Sequence, residues 1–523
     1  MKKNYYVTTP IYYVNDKPHI GHMYTNLAAD ILARFKRLDG YQVIFLTGTD
    51  EHGQKVEKSA KKSGEDTKKF VDKVSLTFRD LSKLLNLSND DFIRTTEERH
   101  IKAVEEVWLI LQENGYIYFD TYKGWYALKD EAFYTKDELV KNSQGQLVAP
   151  SGAEVQWHEE ESYFFKLSAF QEKLLEYYKT HPNFIAPKSR ANEVIRFVKG
   201  GLKDLSISRS NFSWGIKVPN NEHHIIYVWL DALVNYISAL DYPLVESKKF
   251  QEFWLEGDIL HLIGKDILRF HCVYWPAFLM AANLPLPTKI FGHGWWLNEG
   301  QKISKSLNNT LDPYDLVTKY GVDQVRYFLF KEVNFGNDAD FSHESIVSRI
   351  NNELANEYGN LIQRTLSIIN NSFNGELKSE KLGEVETNYL LELDKKLEEF
   401  RGYIENQNFL SYLDKCFEII RYGNFYINKN TPWALIKEGN SLEGQAKNSK
   451  MLEAQNILYF ICEIAKRVSI LLNPFMPQST DNILKQLNVP IEHKSLAKLT
   501  EPLPKKYKIN QNYPIFAKYY EPK

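Results

Sequence analysis

Apolar and polar positions in the first fifty residues fall into three blocks. Tyr5-Tyr6-Val7-Thr8-Thr9 is aromatic and β-branched, as a buried strand is, and Pro10 to Pro18 is expected to break it. From Met23 to Leu38 the apolar residues Leu27, Ile31, Leu32 and Phe35 recur at helical spacing, and Gly40 suits a helix stop. Tyr41-Gln42-Val43-Ile44-Phe45-Leu46 is a second strand, ending at Thr47-Gly48-Thr49-Asp50. Strand, helix and strand of this length make a βαβ unit, which implies a parallel sheet. Ligands bind such sheets at the carboxyl ends of the strands, and His19, His22 and Asp50 all fall there.

The pattern then changes. Residues 115–222 are rich in turns, such as Asn142-Ser143-Gln144-Gly145 and Ala149-Pro150-Ser151-Gly152, and are expected to be an insertion between two halves of the sheet domain. The α/β pattern resumes at His224 to Leu230, Asp258 to Ile263 and Lys289 to Phe291. From about Glu344 strand signals vanish. Leu390, Leu393, Leu397, Phe400 and Ile404 step by three and four, as do Ile457, Phe460, Ile461, Ile464, Val468 and Leu471. The spacing predicts an antiparallel helix bundle. The expected fold is therefore α/β, a split parallel-sheet domain followed by an all-α domain. Its parts are 1–114, the insertion 115–222, the second half 223–292, a connecting region 293–343 and the helical 344–523.

Composition narrows the class. The 523 residues carry 65 basic and 67 acidic side chains, so no general basic coat for nucleic acid is present and any such face must be local. Cys272, Cys416 and Cys462 are far apart, which excludes a disulfide framework and a cysteine-rich zinc site and suits a reducing cytoplasm. The N-terminus lacks the apolar core of a signal peptide, and the most apolar stretch, 273–291, is broken by three prolines, so no membrane span is expected.

Two motifs carry chemistry. His19-Ile20-Gly21-His22 sits where a strand gives way to a helix. Free N–H groups and positive dipole at a helix start attract phosphate, and Gly21 permits close approach. Alone, an H-x-x-H pair equally fits surface histidines, core histidines or half a metal site. Lys302-Ile303-Ser304-Lys305-Ser306 offers two cations and two hydroxyls for a triphosphate, but alone it also fits a solvated loop. Paired, one after the first strand and one after the last, the two motifs resemble the class I aminoacyl-tRNA synthetase arrangement, on a Rossmann-like domain.

Longer segments resemble the methionyl-tRNA synthetase family: TTPIYYVND (8–16), FLTGTDEHGQK (45–55), RTTEERH (94–100), DLSISR (204–209), YVWLDAL (227–233), HLIGKDILRFH (261–271) and HGWWLNEGQKISKS (293–306). The insertion is too short for the editing domain of leucyl, isoleucyl or valyl relatives. The resemblance implies ATP-dependent ligation of L-methionine to initiator and elongator tRNA(Met) through methionyl-adenylate. It places methionine against Ile11, Tyr13, Asp50, Trp229, Ala232, Tyr236, Ile267 and His271, with Asp50 on the ammonium group. It places ATP against His19, Gly21, His22, Gly264, Lys265, Asp266, Trp296, Lys302, Ser304 and Lys305. Of these His19, His22, Lys302 and Lys305 are the catalytic set, and ATP enters with Mg²⁺. The helical domain is expected to read the anticodon through Asn356, Asn360 and Trp433, with the family's arginine replaced by Asn360.

One departure is visible. Many family members hold zinc with cysteines in the insertion, whereas residues 125–162 contain no cysteine and only one histidine, His158. No metal site and no structural zinc are expected. The chain stops soon after its last helical pattern, and a cytoplasmic monomer is the expectation. Two rivals are a smaller nucleotidyltransferase with the same adenylyl chemistry, which needs no helical half, and a non-catalytic tRNA-binding paralogue, which is expected to lose one of the two motifs.

Overall fold

The computed structural model describes residues 3–14, 17–127, 129–130, 132–134, 136–142, 144–298, 301–302, 311–379 and 382–521. Ser304 and Lys305 lie outside the described residues.

The core is a parallel sheet of six strands. β1 (Asn4–Tyr13), β2 (Gln42–Asp50) and β3 (Asp91–Arg94) form one side, in the order β3-β2-β1. Asp258–Gly264, Lys289–His293 and Ile185–Ala186 continue from β1 in that order. The direction of winding thus reverses between β1 and Asp258–Gly264, and a crevice opens there beyond the strand ends. The loops carrying His19 and Gly264 both leave from that point.

Three expectations change in detail. β1 does not stop at Pro10 but runs on to Tyr13, with the register against β2 shifting between Thr8 and Ile11. Proline has no N–H to give the ladder, and the bulge absorbs it. The α/β pattern resuming at 224–230 resolves into two elements, the strand Asn221–Ile226 and the helix Val228–Ser238. That helix is buried almost all round, so its sequence shows no polar stripe to betray the helical period. In the helical half, Glu376–Lys378 and Lys506–Lys508 pair antiparallel. Three-residue strands are too short to show a period.

The insertion is built on an antiparallel pair, Ile117–Ala127 against Gln156–Phe165. It is not wholly separate, because Ile185–Ala186 returns to the edge of the parallel sheet. The helical half packs around Gly444–Leu472, whose residues from Ile457 to Leu472 are all buried. All three cysteines are buried in these cores.

A buried ion pair locks the parts together. Helix α1 (Ile20–Leu38) carries Asp30, which takes Arg326 Nη2 at 2.6 Å with both side chains sealed from solvent. Arg326 also donates to the carbonyls of Leu85, Pro474 and Phe475. One guanidinium thereby joins the sheet domain, the helix Val322–Lys331 and the C-terminal bundle. Removing one partner of such a pair costs about 3–5 kcal/mol, because the other charge stays buried.

Candidate active site

A cavity of about 510 Å³ fills the crevice at the reversal point. Ile11, Tyr13, Asp50, Trp229, Ala232, Tyr236, Ile267 and His271 all line it, as do His19, Gly21, His22, Gly264, Asp266 and Trp296. Residues spread over nearly 300 positions of sequence are thus brought to one wall. Lys265 does not line it, and of Lys302 the backbone is placed, paired to Leu297 in a hairpin at the cavity's edge.

The histidine pair shapes the start of α1. His19 is the N-cap, accepting the Gly21 N–H on Nδ1 at 3.0 Å, while His22 Nδ1 accepts the His19 N–H at 3.0 Å. This capping box starts the helix at Ile20, three residues before the apolar period shows. An acceptor Nδ1 leaves the proton on Nε2 in both rings, so each is built to donate through Nε2. The rings lie 3.9 Å apart. Burial and the neighbouring His19 push the His22 pKa well below its usual value, so His22 is neutral. A Cβ on Gly21 would come within 2.9 Å of the His19 ring, so any other residue there would have to displace that ring.

The run Thr49-Asp50-Glu51-His52 is divided among three tasks. Asp50 is buried in the cavity wall. Glu51 turns away, held by both Nε and Nη2 of Arg94 at 2.6 and 2.9 Å and by Thr49 and Thr96. His52 Nδ1 donates to Asp231, whose other oxygen takes His100 Nε2, each at 2.7 Å. Burial alone would raise the Asp231 pKa, but the two histidines outweigh it and hold the carboxyl at about 2. This link ties the end of β2 to the helix that presents Trp229, Ala232 and Tyr236.

The other end of the cavity is aromatic. Trp229 stacks on Phe270 with ring centres 3.5 Å apart. Tyr236 Oη lies 2.7 Å from His271 Nε2, and His271 Nδ1 lies 3.0 Å from the Ile267 carbonyl. Burial holds the His271 pKa at about 4, so this wall is uncharged at neutral pH.

Several lining residues take no role from the sequence: Thr25, which lies outside every quoted segment, and Lys55, His293 and Trp295, which lie inside them. His293 Nε2 lies 2.7 Å from Thr25 Oγ1, fastening the strand Lys289–His293 to the second turn of α1. Its place in HGWW, at the head of a matched segment, is the one signal that could have found it. Trp295 Nε1 donates to Asp266 Oδ1 at 3.0 Å.

The distal surface is also assembled. Asn356 and Asn360 are exposed on consecutive turns, and Trp433 is 40 % exposed at the start of Pro432–Asn440. The Arg364 guanidinium lies 5.5 Å from the Trp433 ring, one turn after Asn360, and donates to Asn428 at 2.7 Å. Arg364 thus stands four residues along the same helix face from Asn360 and beside Trp433.

The comparisons agree with this geometry. A family described as tRNA synthetases class I (M) matches residues 5–366. The methionine–tRNA ligase of Rickettsia felis is 52 % identical over 493 residues, covering 94 % of this chain and 93 % of that one. The methionine–tRNA ligase of Brucella suis is 46 % identical over 522 residues, covering 99 % of each. Among solved structures, Mycobacterium tuberculosis methionyl-tRNA synthetase in complex with methionyl-adenylate superposes with a TM-score of 0.93 at 43 % identity, covering 98 % of this chain and 99 % of that one. The chain belongs to the methionine–tRNA ligase family of the class I tRNA synthetases.

Proposed function

We infer that the chain activates L-methionine with ATP and transfers it to tRNA through methionyl-adenylate. The observation that carries this is the single cavity in which a buried carboxylate, an uncharged aromatic wall and a pair of Nε2–H donors at a helix start converge. Measuring ATP–pyrophosphate exchange with each amino acid tests it. Stimulation by methionine alone is expected; exchange indifferent to methionine, or driven equally by another amino acid, sinks the reading.

The residues divide the work as follows. Asp50 receives the substrate's ammonium group as a charge-assisted partner. Ile11, Tyr13, Trp229, Ala232, Tyr236, Ile267 and His271 enclose the thioether, which gains about 0.3–1.5 kcal/mol per sulfur–aromatic contact. A neutral His271 leaves no charge to attract an ionic side chain. The methionine carboxylate oxygen attacks the α-phosphorus of ATP in line, the bond to the β-phosphate oxygen breaks, and pyrophosphate leaves. His19 and His22 donate through Nε2 to phosphate oxygens as charge develops. Gly264 and Asp266 sit at the ribose, the main chain near Trp296 at adenine. Lys302, Ser304 and Lys305 hold the departing pyrophosphate, with Lys305 dominant. ATP arrives as its Mg²⁺ complex, so that ion belongs to the substrate. Most of the acceleration is positioning and charge stabilisation. In the second step the terminal adenosine hydroxyl of tRNA attacks the adenylate carbonyl, and AMP leaves.

The partner is tRNA(Met), initiator and elongator, read at its anticodon by Asn356, Asn360, Arg364 and Trp433. Unpaired anticodon bases are recognised by stacking on aromatics and by bonding their edges. The reading includes no structural zinc, because the insertion offers no cysteine from residue 125 to 162 and a tetrahedral site needs four ligands. Among the described residues no cluster of three metal-ligating side chains occurs. A cytoplasmic monomer fits, and no described helix is long and apolar enough to cross a membrane.

A further inference from the structure

Asp338 lies 73 residues after Lys265 in the chain and in none of the seven quoted motif segments, yet it is bonded to Lys265 and to Trp295, the latter a residue of the cavity wall. Its two oxygens are divided. Oδ1 accepts the Trp295 backbone N–H at 2.8 Å, and Oδ2 accepts Lys265 Nζ at 2.5 Å. The Lys265 ammonium also lies 4.2 Å from the centre of the Trp295 ring, a cation–π contact. The Trp295 indole is therefore fixed at its backbone and on its face, both times through Asp338. At its far edge Nε1–H donates to Asp266 Oδ1 at 3.0 Å. Asp266 Oδ2 takes no hydrogen bond from any described residue, and Asp266 lines the cavity. The indole thus orients a carboxylate whose second oxygen is left for a ligand.

The main chain around Asp338 is equally constrained. Gly294 N–H donates to the Phe335 carbonyl, Ala339 N–H donates to the Trp295 carbonyl, and Trp296–Asn298 then pairs in parallel with Ala339–Phe341. A Cβ on Gly294 would lie 2.1 Å from the Asn337 carbonyl oxygen, so the two chains cross at van der Waals limit. Asp338 is held ionised: burial would raise its pKa, but the Lys265 bond and the Trp295 N–H together lower it.

We propose that Asp338 is a positioning residue for ATP, which fixes Trp295 and Lys265 so that the Asp266 carboxylate faces the ribose hydroxyls. Lys265 is then a structural counter-ion of the ribose wall and not a ligand of phosphate, which agrees with its absence from the cavity lining. A carboxylate in a fixed orientation pairs with two neighbouring hydroxyls; one free to rotate loses that geometry in ground and transition state alike. The effect falls on ATP and spares methionine, whose wall is at the other end.

The inference rests on the nucleotide end being at Gly264 and Asp266, and the experiment separates the two. Asp338→Asn keeps an acceptor for the Trp295 N–H but removes the charge facing Lys265; Asp338→Ala removes both. KM for ATP and KM for methionine are measured separately by ATP–pyrophosphate exchange on the full chain, with the thermal midpoint recorded for each variant. Asp338→Asn is expected to raise the KM for ATP roughly tenfold and to leave that for methionine within about twofold, at an unchanged midpoint. Lys265→Met should do the same, and the double variant should add little to either, because both act through one indole. An unchanged KM for ATP in Asp338→Asn, or equal rises in both KM values, overturns the proposal. Asp266→Asn is the control for the underlying reading: if it too leaves the KM for ATP unchanged, the ribose assignment falls, whereas a rise there without one in Asp338→Asn removes Asp338 alone.

Discussion

Tyr236 donates its hydroxyl proton to His271 Nε2 across 2.7 Å, and the direction of that bond is fixed by a second one. His271 Nδ1 faces the Ile267 carbonyl at 3.0 Å, and a carbonyl only accepts, so the ring proton is on Nδ1. With the ring neutral, Nε2 is a bare lone pair and Tyr236 must be the donor. The phenol therefore turns its oxygen lone pairs, not its proton, to whatever else enters the pocket.

Replacing that phenol tests the thioether wall. Tyr236→Phe leaves His271 Nε2 buried without a donor, a deficit of about 1–3 kcal/mol. The ring then turns or draws in water, and the wall loses its shape. The KM for methionine in the exchange assay is expected to rise about tenfold or more, with the KM for ATP within about twofold. A variant with unaltered methionine affinity would remove this pair from the methionine site.

The same histidine makes stability depend on pH. Its pKa is about 4 in the folded chain against the ordinary histidine value of 6.5, chiefly because burial opposes charge. Between those values the unfolded chain binds more protons, so stability falls as pH drops from 6.5 towards 4. The single-site share is on the order of 3 kcal/mol across that window. His22, His261 and His293 are shifted the same way, so the total loss is larger than one ring explains. Comparing denaturation midpoints of the wild type and His271→Gln at about pH 7.5 and about pH 5 isolates the contribution of this ring. The variant should lose less on acidification; parallel losses would mean His271 is not the titrating group.

Much of this site is legible in the sequence because its residues sit in contiguous runs whose chemistry is unusual: a histidine pair at a strand end, lysines flanking serine, a tryptophan beside an acid. Long matched segments such as HGWWLNEGQKISKS place several of them at once. What escapes is relational. Asp338 lies in Asn337-Asp338-Ala339, which has no motif, and its role arises only where two chains cross at Gly294. Arg364 is invisible in the pattern because one helix of the bundle looks like another until Trp433, nearly seventy residues on, folds against it. The continuation of β1 through Pro10 is hidden because a ladder normally rejects proline, and a bulge cannot be seen in a single strand. His52 and His100 look alike in the sequence, but the carboxylate that joins them comes from the second half of the domain.

The distal surface should affect charging and not activation. Trp433→Ala removes a stacking platform and Arg364→Ala a planar donor, each worth about 1–3 kcal/mol in base recognition. Aminoacylation kcat/KM for tRNA(Met) is expected to fall by roughly ten- to hundredfold in each variant, while methionine-dependent exchange stays at the wild-type rate. Loss of both activities together would make these residues structural.

Lys305 gives the opposite pattern. Its ammonium is proposed to neutralise the β- and γ-phosphates as they depart, an interaction that matters most in the transition state. Lys305→Ala should slow exchange by roughly a hundredfold or more with little change in methionine binding, as one charge-stabilising group is worth on the order of 3 kcal/mol. Binding is checked by methionine quenching of tryptophan fluorescence, since Trp229 lines the pocket. Near-normal exchange would remove the KISKS lysine from the chemistry.

Zinc is the last test, and it concerns the insertion. The turn at Ala149-Pro150-Ser151-Gly152-Ala153 is closed by its own bonds: Ala149 N–H to the Ala153 carbonyl and Gly152 N–H to the Ala149 carbonyl, each at 2.8 Å. Ser151 Oγ reaches back to Asp130 at 2.5 Å, and Tyr134 Oη donates to the same carboxylate at 2.8 Å. Ala127, Ala149 and Ala153 pack into a small core beneath. These contacts hold the turn without a metal ligand among them, and Asp130 at their centre lines the active cavity. Purified protein is therefore expected to contain no stoichiometric zinc by elemental analysis. Exhaustive chelation followed by added Mg²⁺ should restore full exchange. Asp130→Ala, which breaks the turn's two side-chain bonds, should lower the thermal midpoint and the exchange rate together, and added zinc should restore neither. One zinc per chain, or activity lost to chelation and recovered only with zinc, would show that the turn depends on a metal after all.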